Sequence, residues 1–142
     1  MVRLKFSGPS AWLLLHSLAS KIKEEKLIEN KEKINNLIEN ICKNIQCPVC
    51  VEHATNYLNT NKITLDSKNE LINYLYIFHN IINKITGKKI ISIDIISNYE
   101  KVKILNILEN YTNKHIKPNL VEYNKVYYEI ENKIKENMDW FN

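Results

Sequence analysis

The sequence predicts an all-α fold, a four-helix bundle with a helical C-terminal extension, and three observations lead there. Only two glycines and three prolines punctuate the 142 residues, so long segments run without the breakers that a many-stranded sheet needs at its turns. Apolar residues recur three and four apart through much of the chain, the period of a helix face. Helix-start and helix-stop chemistry stands where those stripes begin and end. A chain of this length is one domain, or one domain with an appendage. It can bury roughly 68–70% of its unfolded surface, so a core needs neither disulfides nor metal.

The first element starts at Ser7-Gly8-Pro9-Ser10, where proline takes a first-turn position whose N–H has no helical partner anyway. Trp12, Leu15, His16 and Ala19 follow on one face. The charged stretch from Lys23 to Lys31 reads as a surface linker. A second helix spans about Glu32 to Asn44, with Ile34, Leu37, Ile38, Ile41 and Ile45 as its stripe. A third begins at Cys47-Pro48 and runs to about Asn59, and Thr60 to Asp66 is a loop. Ser67-Lys68-Asn69-Glu70 has the pattern of a capping box. It opens a fourth helix reaching Ile85, which Thr86-Gly87-Lys88 ends with glycine near the C′ position. Past Lys89 the pattern weakens, and Ile90 to Ile96 fits a loop entering a helix better than a short strand. Asn98 to Thr112 and Leu120 to Met138 are helical in period, parted by Lys117-Pro118-Asn119.

Composition excludes several classes of function. Isoleucine (22) and asparagine (21) are in excess, a skew that points to an AT-rich coding sequence more than to a demand of the fold. The net charge of +4 is spread out, with Glu interleaved among Lys. It makes no concentrated basic stripe, so no nucleic-acid partner is expected. No apolar run approaches the ~18–20 residues that span a bilayer, and Ser92 and Asp94 interrupt the greasiest stretch. Three cysteines exclude a disulfide-rich secreted scaffold. With the first structured motif beginning by Gly8, neither a signal nor a transit peptide is expected. The expected compartment is the cytoplasm, where thiols are normally kept reduced.

The chemistry concentrates in Cys47-Pro48-Val49-Cys50-Val51-Glu52-His53. A reactive cysteine needs a positive local potential to hold its thiolate. Cys47 stands where a helix N-cap would be, so unpaired N–H groups and the positive dipole end would lower its pKa. Cys50, one turn on, is close enough to pair with it. The same spacing also serves zinc: Cys42, Cys47, Cys50 and His53 supply four ligands within twelve residues, enough for a closed tetrahedral site. Against zinc, a second well-spaced pair of ligands is missing and Cys42 falls on an apolar stripe, where it reads as a small hydrophobe. A thioredoxin-like site is a weaker match, because the motif does not follow a strand.

The flanks carry a resemblance. Gly8-Pro9-Ser10-x-Trp12-x-x-x-His16-x-x-Ala19 resembles the opening motif of the FAD-linked sulfhydryl oxidases of the Erv/Alr family. Cys47-x-x-Cys50-x-x-His53 is similar to that family's proximal redox pair on its third helix. Ser67-Lys68-x-x-Leu71 resembles its Ser-Arg-x-x-Leu segment. His79-Asn80-Ile81-Ile82-Asn83-x-x-x-Gly87-Lys88 resembles its most specific signature, His-Asn-x-Val-Asn followed by Lys. The four blocks come in the family's order and cover residues 8 to about 90. Each also has a plainer reading: Trp12 as core packing, His16 as a satisfied buried histidine. His79, Asn80 and Asn83 are costly to bury on an apolar helix without partners, which a polar cofactor edge would provide.

The resemblance implies a four-helix domain over residues 1–95 holding FAD, then a helical extension of unassigned role over 96–142. It implies Cys47 as the interchange thiol and Cys50 as the sulfur beside the flavin. Gly8, Trp12, His16, His53, Tyr57, His79, Asn80, Asn83 and Lys88 are the implied cofactor-binding residues, with Lys88 meeting phosphate as a point charge. Electrons would pass from a protein dithiol through the pair to FAD and then to O2, giving hydrogen peroxide, and oxygen would keep the pair oxidised even in a reducing compartment. Departures are visible. Ala54 stands where an aromatic often follows the histidine, the family's additional disulfide cannot form because residues 89–96 hold no cysteine, and no shuttle pair exists. The electron donor is therefore expected to be a protein dithiol substrate itself or a small thioredoxin-like relay protein. Lacking a shuttle pair, the chain resembles the forms found in large DNA viruses, which sets an expectation of host cytoplasm or virion. A homodimer is implied as well, with Leu13, Leu14 and Leu18 serving either its interface or the core.

Overall fold

The computed structural model describes residues 8–45 and 48–142; Ser7 and Cys47 lie outside the described residues. Seven α-helices run in order: α1 Gly8–Lys21, α2 Glu24–Glu29, α3 Lys31–Lys43, α4 Pro48–Thr60, α5 Lys68–Ile85, α6 Ile104–His115 and α7 Val121–Glu136. Two 3-10 segments, Ile93–Lys101 and Met138–Trp140, complete the described chain.

Helix α1 is the hub, packed against α5, α6, the Ile93–Lys101 segment and α3. Ala11, Trp12, Leu14, Leu15, Leu18, Ala19 and Ile22 are all buried, as are Ser10, His16, Ser17 and Ser20 between them. Such a helix is enclosed on every side instead of presenting one apolar face. Leu14 and Leu18 accordingly belong to the interior of the single chain and are not available as an interface patch.

The predicted second, third and fourth helices correspond to α3, α4 and α5. Ser67 caps α5 by accepting from the Glu70 amide at 3.1 Å. A first-turn amide finds a partner outside the box: the Glu24 carboxylate accepts from the Lys68 N–H. At the other end Lys88 N–H donates to the Asn83 carbonyl (2.7 Å) and Gly87 N–H to that of Lys84 (3.4 Å). This is a Schellman closure, with Gly87 at φ +73° in the left-handed region that glycine tolerates.

Three stretches differ from expectation. The Lys23–Lys31 linker contains α2, because its one central leucine, Leu27, is completely buried and pulls the charged turn onto the core. Ile93–Lys101 is a 3-10 segment, started by Ser92, whose hydroxyl accepts from the Asp94 amide. In consequence α6 begins at Ile104, not near Asn98.

Residues past 95 share the core. Ile104, Leu108, Tyr111, Tyr127, Ile130, Ile134, Trp140 and Phe141 join one buried cluster with residues of α1, α3, α4 and α5. The C-terminal end is clipped to the end of α1: Lys23 N–H donates to the Trp140 carbonyl and Asn142 N–H to that of Lys21, both at 2.8 Å, forming an isolated antiparallel bridge between Ile22 and Phe141. Among the described residues, no helix is long and apolar enough to cross a membrane.

Candidate active site

Helices α1 and α5 lie side by side, and their polar residues meet where they cross. Trp12 and His16 are one turn apart on α1; His79 and Asn83 are one turn apart on α5. The Trp12 indole stacks on the His79 imidazole with centroids 4.1 Å apart and planes within 4°. His16 Nε2 and His79 Nδ1 are 2.8 Å apart, one donating and the other accepting. Burial holds the His16 imidazole down at about 4. It holds His79 at about 3, where nearby His16 and Lys88 add to the effect. Both rings are therefore neutral at pH 7 and share a single N–H between them.

Beside this pair is a pocket of roughly 360 Å³, lined by Pro9, Trp12, Leu13, His79, Asn83, Lys88 and Tyr99. Asn83 is buried and donates to the Lys89 carbonyl at 3.2 Å. Asn80 is used differently. Its amide donates to the Ile91 carbonyl (3.1 Å) and accepts from the Ile91 amide (2.9 Å), while the Tyr76 hydroxyl donates to the same carbonyl. The polar groups that seemed to need a cofactor edge thus find partners within the chain. Asn80 latches the segment after α5 so that the next turn carries Tyr99 back to the pocket. Tyr99 stacks on His16 at 5.1 Å. Sequence reasoning missed it; the only available signal was a lone aromatic in an otherwise aliphatic and polar stretch.

Helix α4 reaches the pocket only through an aromatic relay. Cys50, His53 and Tyr57 recur three and four apart, on one face. Cys50 is only 8% exposed, whereas His53 and Tyr57 are half-buried. The Tyr57 ring stacks on Phe78 (4.5 Å, 11°), and Phe78 meets Trp12 edge-on at 5.2 Å. One aromatic layer therefore runs from the cysteine-bearing helix to the α1–α5 pocket. Cys50 itself does not line that pocket, and seven residues of helix put it about 10 Å along α4 from Tyr57.

The remaining candidate residues are accounted for as follows. Gly8 begins α1. Cys47 lies outside the described residues. Cys42 is completely buried, and burial, helped by Glu39, pushes its thiol up to about 12, so it is a neutral space-filling group. Among the described residues, no three His, Cys, Asp or Glu side chains gather as metal ligands.

Comparison with known proteins agrees in extent with these blocks. The model of the Erv1 / Alr family matches residues 9–104. FAD-linked sulfhydryl oxidases from two isolates of African swine fever virus are 32% and 31% identical over 102 residues, 72% of this chain and 86% of theirs. The FAD-linked sulfhydryl oxidase ERV1 of Oryza sativa subsp. japonica is 29% identical over 83 residues, 58% of this chain and 43% of the plant protein.

Proposed function

Because the chain belongs to the Erv1 / Alr family, we propose that it is an FAD-dependent thiol oxidase forming disulfides in protein substrates through Cys47 and Cys50. One observation carries the reading: Trp12 and, more than sixty residues on, His79, Asn83 and Lys88 line one pocket, and His16 is hydrogen-bonded to His79 beside it. Its donor set fits FAD. Trp12 and Tyr99 offer flat faces, the Asn83 oxygen is left to accept, and Lys88 brings a cation for phosphate. Two rings 4.1 Å apart admit nothing between them, so a planar ligand would lie beside the Trp12–His79 stack, in the pocket that both rings line. The pocket bounds one part of so long a molecule.

The protein's own chemistry follows from where the thiols stand. Cys47 directly precedes α4, whose first-turn amides favour a thiolate there, and Cys50 is shielded. A substrate thiolate attacks the Cys47 sulfur of the Cys47–Cys50 disulfide, forming a mixed disulfide and releasing Cys50 as thiolate. The second substrate thiol then displaces Cys47. The substrate leaves as a disulfide, and two electrons remain on the reduced pair. The chemistry that bound FAD supplies is acceptance of those two electrons and their delivery to O2, which leaves as hydrogen peroxide. The neutral His16–His79 pair keeps positive charge off the pocket floor and leaves that role to Lys88.

We assign as electron donor a protein dithiol or a thioredoxin-like relay protein, since no second cysteine pair exists in the chain. The viral relatives and the AT-rich composition support action in the host cytoplasm or virion of a large DNA virus. A homodimer is part of this reading, through surfaces other than Leu14 and Leu18. The competing reading, a zinc-stabilised interaction module using Cys42, Cys47, Cys50 and His53, is disfavoured by the burial of Cys42. The test is a visible spectrum. Purified protein is expected to be yellow, with flavin absorbance that bleaches when dithiothreitol outruns oxygen, and Cys50→Ser is expected to keep FAD while losing turnover. Colourless protein that binds one zinc and unfolds with chelator sinks the proposal.

A further inference from the structure

The family-matched segment ends at residue 104, yet helix α7, beyond it, reaches back to the end of α3, three positions before Cys47 in the sequence. The Tyr127 hydroxyl donates to the Asn44 carbonyl at 2.9 Å across 83 positions of sequence. Asn44 caps the end of α3, and the link from there to Pro48, the first residue of α4, carries Cys47. Ile45, the first residue of that link, is buried. Asn44 is also tied by its own amide groups to Ile41 and Asn40. The point from which the Cys47 link departs is therefore held from both α3 and α7.

Tyr127 is itself firmly held. It is 3% exposed and sits among the rings of Tyr111, His115 and Tyr123, with centroids 6.3, 4.8 and 5.5 Å away. The turn leading into α7 is closed by Asn124, which donates to the Lys117 carbonyl and accepts from the Lys117 amide, both at 2.7 Å. A rigid helix thus delivers one phenol hydroxyl to one backbone carbonyl three residues before a reactive cysteine. A disulfide tolerates only a narrow range of Cα and Cβ separations, so the start of the link bears directly on how easily Cys47 and Cys50 join.

We propose that Tyr127 is a positioning residue for the Cys47–Cys50 pair, and that the segment beyond the family match sets the balance between its dithiol and disulfide forms. This rests on the thiol-oxidase reading above for its role in turnover, though not for the balance itself, which is measurable without flavin.

The experiment compares full-length protein with Tyr127→Phe, which removes the hydroxyl and keeps the ring, and with Ile134→Val, which loosens the same helix two turns further on. Each is equilibrated in glutathione buffers to read the dithiol–disulfide equilibrium constant, and assayed for dithiothreitol oxidation, flavin content and unfolding midpoint. Tyr127→Phe is expected to shift the equilibrium constant about five-fold, the range of one lost hydrogen bond, and to slow oxidation while keeping its flavin. Ile134→Val is expected to lower the midpoint and leave the equilibrium in place. An equilibrium constant for Tyr127→Phe within two-fold of the parent overturns the proposal, as does an equal shift in Ile134→Val. Parent protein without flavin or turnover overturns the thiol-oxidase reading instead, and the equilibrium comparison still decides this one.

Discussion

His16 and His79 face each other across 2.8 Å with one shared N–H, and burial holds both below their ordinary protonation range. The consequence for pH has a definite sign. In the unfolded chain each imidazole takes up a proton near pH 6.5; in the fold each stays neutral until about pH 4 or below. As pH falls from 7 to 5 the unfolded chain therefore binds protons that the native chain refuses, and stability falls. About 1–2 kcal/mol is expected per histidine over that window, before most carboxylates titrate. Urea midpoints at pH 7 and 5 check this, and His79→Gln is expected to flatten the dependence. An unchanged slope in that variant would show that the pair is not its source. Cys42 illustrates the opposite outcome for a polarisable group: fully enclosed, with its thiol pushed up to about 12, it is a hydrophobe in effect.

At the scale of elements, two latches hold the molecule's working parts. Asn80 fixes Ile91 through two hydrogen bonds and thereby aims Tyr99 at the pocket. Asn80→Ala removes both and leaves the Ile91 amide without that acceptor. The expected result is faster amide hydrogen exchange across residues 89–92 together with weaker retention of FAD. Protection equal to the parent's would refute the latch. The second is the C-terminal clip, where buried Trp140 shares an apolar slot with Phe141, Leu18, Ile22, Ile34, Leu37 and Leu71. Trp140→Ala leaves the backbone bridge to α1 intact but empties the slot. A loss of about 3–5 kcal/mol is expected from chemical denaturation; a loss under about 1 kcal/mol would mean that the slot closes up unaided.

Across the whole molecule, α1 is enclosed because α6 and the 3-10 segment lie on the side that a bare four-helix arrangement would leave open. Buried residues from both ends of the chain form one cluster. A chain ending at Lys103 would expose the faces of α1 and α3 that α6 and α7 cover. It is expected to lose cooperative thermal unfolding, as followed by calorimetry against the full-length chain. A sharp two-state transition in the shortened chain would establish residues 104–142 as an appendage instead. The coupling through Tyr127 belongs to this scale too, since it joins α7 to the start of the redox link.

Periodicity and end chemistry determined most of the helices: α3, α4 and α5 fall within a residue or two of their predicted spans, because apolar spacing, Ser67 and Gly87 act locally. The motif blocks likewise determined which residues of α1 and α5 would meet, and the family. Local pattern could not decide that a charged linker folds around Leu27, that the isoleucine run after Lys89 winds into 3-10 turns, or that Tyr99 returns to the pocket. Nor could it decide that Leu14 and Leu18 are buried within the single chain. Each of those depends on what lies opposite in space, and burial and long-range hydrogen bonds are set only once the whole chain has packed.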